Sequence, residues 1–191
     1  IQLVIRMHSP HPAAKWFEWH LTVYLNEGGE RELLAIGRDV SKQRATEERL
    51  CRMITHDALT GLPNRLLLSD RIQMAIAHAR RTETGFSLIT LDLDGFKKVN
   101  DALGHSIGDA LLRVAGQRLR DALRDIDTLA HVSGDEFVAV LPGVVDESEI
   151  QMITRRLIAT IQLPFQIQEH TLYVSTSIGG AIYPQHADNE V

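Results

Sequence analysis

The order of helical and strand-like patterns after residue 56 restricts the fold more than any other feature of this sequence. Apolar residues at helical spacing predict a helix over 64–82 with Asn64 as its N-cap, and the apolar run 86–91 predicts a buried strand. The other predicted elements are helices over 106–124 and 146–161, a hairpin of strands 127–132 and 136–141, and strands over 163–168 and 171–183. The order βαββαβ, with a leading helix, predicts an α/β (α+β) sandwich of ferredoxin-like type with a mostly antiparallel central sheet.

The first 56 residues have a different character. Strands are predicted over 2–7, 15–25 and 31–40, with a turn at 26–29. Three strands with few helical partners make a poor independent core, so we interpret 1–40 as part of a domain. A charged run predicts a linker helix over 41–56 with Ser41 as N-cap. This helix has two interpretations: a solvated linker, or a signalling helix that forms a dimeric coiled coil.

Composition narrows the classes of function. The 191 residues are 44% hydrophobic and 24% charged, which is typical of an ordinary globular protein. The net charge of −5 gives no indication of binding to nucleic acid or to an anionic membrane surface. No apolar run approaches the roughly 20 residues of a membrane-spanning helix. The single cysteine, Cys51, cannot form an internal disulfide, which favours a reducing compartment, so we expect a cytoplasmic protein.

Acidic and basic residues follow the strand predicted at 86–91. Asp92 stands at the end of this strand, and Gly95 permits a tight turn whose backbone N–H groups can hold an anion. Lys97 adds a positive charge that suits a phosphate. A hard cation and a nucleotide polyphosphate require such a carboxylate beside a phosphate site. The alternative is an acidic corner between strand and loop with one capping aspartate.

A second acidic group occupies the tip of the predicted hairpin, at residues 133–137 (SGDEF). The adjacent carboxylates of Asp135 and Glu136 repel each other unless a cation or a lysine neutralises them. In a ferredoxin-like sheet Asp92 and this hairpin can lie on adjacent central strands, which would bring three carboxylates to one metal site. A polar hairpin turn is the alternative interpretation.

The segment 100–109 leads into the second predicted helix of the alternating region. Asn100 and Asp109 are suited to binding the edge of a purine base, with Asp109 accepting from an exocyclic amine. The alternative is a capped helix start, in which Ser106 is the N-cap and Asp109 is the acid three residues on. Both interpretations can hold for different residues.

Three motifs together resemble the GGDEF family of diguanylate cyclases. They are residues 57–65 (DALTGLPNR), 92–109 and 133–137, in this order and spacing, and the resemblance covers roughly 57–191. Residues 1–40 are similar to the last strands of a PAS sensor domain, joined to the cyclase part by the linker at 41–56. The segments 163–165 and 177–184 resemble those of cyclase domains that precede an EAL phosphodiesterase domain.

The resemblance implies that two GTP molecules condense to cyclic di-GMP with loss of two pyrophosphates. A Mg²⁺ or Mn²⁺ cofactor is implied, as is a homodimer, because each domain holds one GTP. By motif position the metal ligands would be Asp92, the Leu93 carbonyl, Asp135 and Glu136. The implied catalytic residues are Asp135, Glu136 and Lys97, with Asp135 linked to activation of the 3′-hydroxyl.

The resemblance also implies two nucleotide sites. The GTP pocket would be lined by Phe96, Asn100, His105, Asp109 and Gly134. Arg124 and Asp127 match an inhibitory site where the product, cyclic di-GMP, is clamped by its guanine bases. An isolated RxxD pattern is usually a surface ion pair, which is the alternative here.

The sequence departs from the family pattern at three places. Ser133 replaces the first glycine of the signature, and its Cβ would penalise a positive φ. His131 stands where the family usually has arginine, so a permanent positive charge is lost. The chain stops at Val191, before the family's last helix, which implies weak GTP binding and little turnover. The alternative function is a module that binds GTP or cyclic di-GMP and regulates an adjoining EAL domain.

Overall fold

A computed structural model describes residues 2–7 and 15–186, with side chains from residue 15 onward. The chain divides into two compact units, Ile1–Met53 and Ile54–Val191. None of the helices in the described residues is long and apolar enough to cross a membrane.

The first unit contains an antiparallel sheet in the order β1-β2-β3. Its strands are β1 (Gln2–Met7), β2 (Lys15–Leu25) and β3 (Arg31–Asp39). The β2–β3 turn is closed by the Asn26 side chain, whose oxygen accepts hydrogen bonds from Gly28 N and Glu30 N. Every residue of β3 is exposed, so within the described part of this unit the strand contributes no side chain to a packed core.

Helix α1 (Ser41–Thr55) follows β3 and contains no buried residue. The prediction that Ser41 is its N-cap was wrong by one position, because the helix begins at Ser41 and Val40 O accepts from Arg44 N. The Ser41 hydroxyl instead accepts a hydrogen bond of 2.8 Å from Trp16 N.

The second unit has the predicted ferredoxin-like architecture. Its elements are α2 (Arg65–Thr82), β4 (Phe86–Asp94), α3 (Phe96–Leu103), α4 (His105–Asp121), β5 (Thr128–Ser133), β6 (Glu136–Pro142), α5 (Glu147–Gln162), β7 (Phe165–Ile167), β8 (His170–Leu172) and β9 (Ser175–Tyr183). The central sheet has the order β5-β6-β4-β9, and each neighbouring pair is antiparallel. The prediction of a mostly antiparallel central sheet is confirmed.

Two apolar layers cover the two faces of this sheet. The main core lies between the sheet and helices α4 and α5, where Leu111 and Leu157 pack with strand residues such as Ile89 and Leu91. A smaller core lies under α2, around Leu68. Strand side chains alternate between these cores because successive residues of a strand point to opposite faces.

Several predicted elements have different bounds in the structure. The helix expected over 106–124 is α4, which spans His105–Asp121, and a helix that was not predicted, α3, precedes it across Gly104, whose φ is 86°. Since α4 begins at His105, the interpretation of Ser106 as N-cap was wrong. The strand expected to end at residue 91 continues to Asp94, because Asp92–Asp94 pair with β9. The strand expected over 171–183 is two strands, β8 and β9, and β7 is shorter than the strand expected over 163–168, with Gln168 (φ 53°) between β7 and β8.

The N-cap of α2 generates a stability prediction. Asn64 Oδ1 accepts from Leu66 N and Leu67 N at 3.0 and 3.2 Å, and its Nδ2 donates to Ile54 O at 2.7 Å. Asn64→Ala should lower the free energy of unfolding by about 1–2 kcal/mol, because it removes a cap and a tertiary hydrogen bond. Urea denaturation measures this. The control, Asp70→Ala on the exposed side of α2, should change it by less than about 0.5 kcal/mol.

Candidate active site

The pairing of β4 with β6 places the acidic residues of two motifs side by side. Asp92 lies opposite Glu136 in the register, and Leu93 N donates to Asp135 O at 3.3 Å. Leu91 and Leu93 are buried in the main core, so the intervening Asp92 points to the other face, where it is exposed. The prediction that Asp92 and the hairpin lie on adjacent central strands is confirmed.

Asp92 and Asp94 differ sharply in their electrostatic surroundings. Partial burial raises the pKa of Asp92, and so does repulsion from Asp135, Asp94 and Glu136. The pKa of Asp94 is lowered by hydrogen bonds of 2.7 Å from the hydroxyls of Ser175 and Ser177. The Asp94 carboxylate therefore accepts hydrogen bonds that stabilise its charge, whereas the charge of Asp92 is repelled by the neighbouring carboxylates.

The oxygen donors at this corner fit a hard divalent cation. Asp92, Asp135 and Glu136 are carboxylates, and their mutual repulsion is the kind that a bound cation relieves. Within residues 15–186, however, no three His, Cys, Asp or Glu side chains are already grouped closely enough to hold a metal ion. The predicted convergence of three carboxylates is thus seen in the backbone register but not as an assembled ligand cluster.

The residue in the left-handed conformation at the tip of the signature hairpin is Gly134, not Ser133. Gly134 has a φ of 52°, whereas among the described non-glycine residues only Glu83 and Gln168 have positive φ. The penalty expected for Ser133 does not arise, because the left-handed conformation falls one residue later. Its hydroxyl lies 3.5 Å from Glu136 Oε2.

His131 joins the first motif to the third, a connection that the sequence interpretation missed. The ring is 6% exposed and stacks on Phe137 with centroids 4.9 Å apart. Its Nδ1 lies 3.0 Å from Asp57 Oδ1, at ion-pair distance but off the line of an ideal hydrogen bond, and its Nε2 lies 2.9 Å from Gly134 O. One feature of the sequence indicates this connection: His131 stands two positions after Leu129, so both lie on the face of β5 that enters the main core.

Asp57 organises the loop at 57–64. Its Oδ1 accepts hydrogen bonds of 2.8 Å from both Thr60 N and the Thr60 hydroxyl, and one of 3.2 Å from Leu59 N. Burial acts to raise the pKa of Asp57, but His131 and the two Thr60 donors outweigh burial and hold that pKa below its ordinary value. His131 N also donates to Pro63 O at 2.9 Å, so this loop is fixed to β5 at two points.

The residues expected to bind nucleotide lie around the start of α3 and α4. Gly95, with a φ of 82°, precedes α3, and Lys97 is exposed in the first turn. Asn100 Oδ1 is a buried acceptor without a hydrogen-bond partner among the described residues. A Cβ at Gly108 would collide with this oxygen, so glycine at 108 makes room for the Asn100 side chain.

The other predicted pocket residues differ in accessibility. Asp109 is half-buried and His105 is exposed at the start of α4. Phe96 is 8% exposed and packs in the main core, where it supports α3 from beneath.

Arg124 and Asp127 form an ion pair at the opposite end of the sheet. The guanidinium contacts both oxygens of the Asp127 carboxylate at 2.9–3.2 Å, and Arg124 Nη2 also donates to Pro142 O at 3.2 Å. Strand β6 runs from Glu136 to Pro142, so this pair lies about 20 Å from the acidic corner. A cavity of about 1080 Å³ beside it is lined by Asp127 and by residues of α2, including Arg71.

Comparison with known proteins identifies the family. The family model described as "Diguanylate cyclase, GGDEF domain" matches residues 54–191. The chain belongs to the GGDEF diguanylate cyclase family. The bifunctional diguanylate cyclase/cyclic di-GMP phosphodiesterase MucR of Pseudomonas aeruginosa is 43% identical over 144 residues, which cover 75% of this chain and 21% of MucR. This chain therefore spans about a fifth of the length of that relative.

Solved structures share the same fold. The GGDEF domain of TpbB (YfiN) from Pseudomonas aeruginosa superposes with a TM-score of 0.67 at 36% identity, over 70% of this chain and 78% of that one. The coiled coil and GGDEF domain of DgcB from Caulobacter crescentus, in complex with c-di-GMP, superposes with a TM-score of 0.71 at 25% identity, over 78% of this chain and 80% of that one.

The environment of Asp57 predicts a specific acid sensitivity. Because its pKa is lower in the folded than in the unfolded state, Asp57 stabilises the fold at neutral pH. This contribution is lost as the pH falls from about 4 through the folded pKa. Asp57→Asn should lower the free energy of unfolding by about 1–3 kcal/mol at pH 7 and flatten its decline below about pH 4.

Urea denaturation at pH 7, 5 and 3 measures this acid sensitivity. The control, Asp70→Asn, replaces an exposed carboxylate on α2 and should keep the parent's profile. An unchanged acid profile in Asp57→Asn would show that the contacts of Asp57 do not favour its ionised form.

Proposed function

We propose that residues 57–191 are a diguanylate cyclase domain, which condenses two GTP molecules into cyclic di-GMP and releases two pyrophosphates. The observation that carries this proposal is the β4–β6 register, which sets Asp92 beside Glu136 and Asp135 beside Leu93. Family membership and the cyclase names of the relatives support the same reaction.

The acidic corner would hold the divalent cation on which cyclases of this family generally depend. Its ligands would be the carboxylates of Asp92, Asp135 and Glu136 with the Leu93 carbonyl. When bound, Mg²⁺ or Mn²⁺ supplies positive charge to the triphosphate. Asp94 is held by the two serines of β9, so it fixes the end of β4 instead of joining the ligand set.

The turn that follows β4 would receive the phosphates. Gly95 adopts a φ of 82°, which sets successive N–H groups at the start of α3 toward an anion. Lys97 in that turn is exposed and would offset phosphate charge.

The α3–α4 region would recognise guanine. Asn100 Oδ1 is a buried acceptor that lacks a donor among the described residues, and the N–H groups of guanine are donors of the required kind. Asp109, half-buried on α4, would accept from the exocyclic amine, with His105 at the mouth of the pocket. Adenine lacks the N1–H and N2–H groups of guanine, so at this edge it would leave Asn100 Oδ1 unsatisfied.

The reaction needs two such domains. Each site holds one GTP, so two copies of the domain must face each other for one 3′-hydroxyl to reach the other α-phosphate. Asp135, half-buried at the hairpin tip, is positioned to take the proton of that hydroxyl. Catalysis then depends on positioning and charge neutralisation in a homodimer.

The remaining parts of the chain have proposed roles in control. Residues 1–40 would be the end of a PAS sensor and residues 41–56 the linker that connects it to the cyclase. Arg124 and Asp127 would bind the product cyclic di-GMP, beside the cavity at the far end of the sheet. An EAL phosphodiesterase domain is a candidate neighbour. The expected compartment is the cytoplasm, where GTP is made and where Cys51 stays reduced.

The proposed reaction is tested by incubating the purified protein with GTP and Mg²⁺ and separating the products by chromatography. The parent should form cyclic di-GMP. Asp135→Asn should reduce the rate by about a hundredfold or more, because it removes a base and a metal ligand. The matched control, Asp101→Asn on the exposed side of α3, should retain the parent's rate.

A second candidate function is a module that binds GTP or cyclic di-GMP without turnover and regulates an adjoining phosphodiesterase. It is favoured by His131, which stands where the family usually has a permanently charged arginine. GTP binding by the parent without any cyclic product would establish this candidate and reject the cyclase.

The repulsion around Asp92 predicts opposite effects on stability and on metal binding. In metal-free buffer Asp92→Asn should stabilise the fold slightly, by less than about 1 kcal/mol, because the exposed carboxylate is repelled by its neighbours. Mg²⁺ should raise the Tm of the parent and leave that of Asp92→Asn unchanged.

Thermal melts with EDTA and with Mg²⁺ measure these two effects. Asp101→Asn should respond to Mg²⁺ like the parent. An equal Mg²⁺ response in Asp92→Asn would exclude Asp92 as a ligand.

A further inference from the structure

Both ring nitrogens of His131 lie next to oxygen atoms that cannot donate a hydrogen bond to them. Nδ1 lies 3.0 Å from the Asp57 carboxylate, whose lowered pKa keeps it ionised, and Nε2 lies 2.9 Å from the Gly134 carbonyl. The ring is 6% exposed, which limits the access of water to either nitrogen.

This geometry favours two protons on the ring. A neutral imidazole carries one N–H and one lone pair, and a carboxylate or a carbonyl only accepts. Either neutral tautomer therefore sets a ring lone pair against an oxygen, at Asp57 or at Gly134. Only the imidazolium presents an N–H to both oxygens, and the Nδ1–H contact with Asp57 lies off the line of an ideal hydrogen bond.

We propose that His131 is a proton-dependent positioning residue for the signature hairpin. Its imidazolium ties Gly134 to Asp57, and loss of one proton releases one of these two contacts. The proposal rests on the proposed function in one respect: the residues that follow Gly134, Asp135 and Glu136, are the proposed metal ligands, so hairpin order governs nucleotide binding.

The charged groups around the ring come from several elements. The segment and the hairpin that flank the ring carry His56, Asp57, Asp135 and Glu136, and the helices that pack on β5 carry Arg65, Asp70, Arg71, His78, Arg80 and Arg81 (α2) and His105, Asp109, Arg113, Arg118, Arg120 and Asp121 (α4). Among the carboxylates of the described residues, Asp57 is the one within ion-pair distance of the ring. The apolar residues that pack on β5 from α2, such as Leu68 and Ile72, bring no charge to it.

The two partners of His131 come from different parts of the second unit. Asp57 lies two residues after α1, and His56 and Pro63 form a bridge whose Pro63 carbonyl accepts from His131 N. Gly134 lies at the other side of the ring. Its positive φ is a backbone conformation that few residue types adopt. The ring thus connects the beginning of the cyclase unit to the hairpin tip across one side chain.

The first test needs no nucleotide. NMR of the ring nitrogens of His131, assigned by their absence in His131→Gln, follows ring protonation from pH 5 to 8.5 in the purified protein. Amide hydrogen exchange follows Ser133 and Glu136, which pair at the end of the β5–β6 ladder, over the same range. As the ring loses a proton, protection of these amides should fall about tenfold, because one hydrogen bond to a charged group is lost. Protection of the β4 amides should stay unchanged.

Either of two results in this test overturns the proposal. One is a ring that keeps a single protonation state throughout the range. The other is a ring that titrates without any change in hairpin exchange.

The second test uses a non-hydrolysable GTP analogue with Mg²⁺. The parent should lose about tenfold in affinity between pH 6 and 8, and His131→Arg, which keeps its donors at every pH, should lose less than about twofold. Equal pH dependence in the two proteins overturns the role of His131. If neither protein binds the analogue, the proposed function fails, and the exchange measurement still decides the role of His131.

Discussion

The antiparallel pairing of β4 with β6 is the constraint on which the rest of this structure depends. It sets Asp92 opposite Glu136 while Leu91 and Leu93 enter the main core. A shift of one residue would turn Asp92 into the core and bring leucines to the surface, at the cost of burying an unpaired charge. The packing of the core therefore holds the acidic corner in place, although none of its carboxylates contributes to that packing.

Core packing also positions a polar side chain on β5, the edge strand of the sheet. β5 packs against α2 through Ala130 and against the main core through Leu129, and His131 continues the core-facing row. Because an imidazole has two polar atoms, its burial requires partners on both sides, and the 57–64 loop and the hairpin tip provide them. A buried histidine thereby links two motifs that are more than 70 residues apart in the sequence.

Much of the fold was predictable because the local signals are strong. The N-cap residue Asn64 and the apolar runs of β4 and β6 correctly indicated the start of α2 and the presence of these two strands. Helix α3 was missed, since its eight residues include polar Asn100 and are separated from α4 by a single glycine. The extension of β4 to Asp94 was missed for another reason: acidic residues have low strand propensity, and only pairing with β9 and its serines supports them there.

The sequence by itself determined the ferredoxin-like class, the family and the chemical types in the site, because periodicity, capping and motif spacing are local properties. Tertiary structure alone decided three things. It showed that the left-handed backbone falls at Gly134 and so relieves Ser133, it buried the Asp127 partner of Arg124, and it gave His131 its two oxygen neighbours. The burial of Asp127 and the neighbours of His131 depend on how separate elements pack, because the polarity of a residue becomes a contact only when packing supplies its partner.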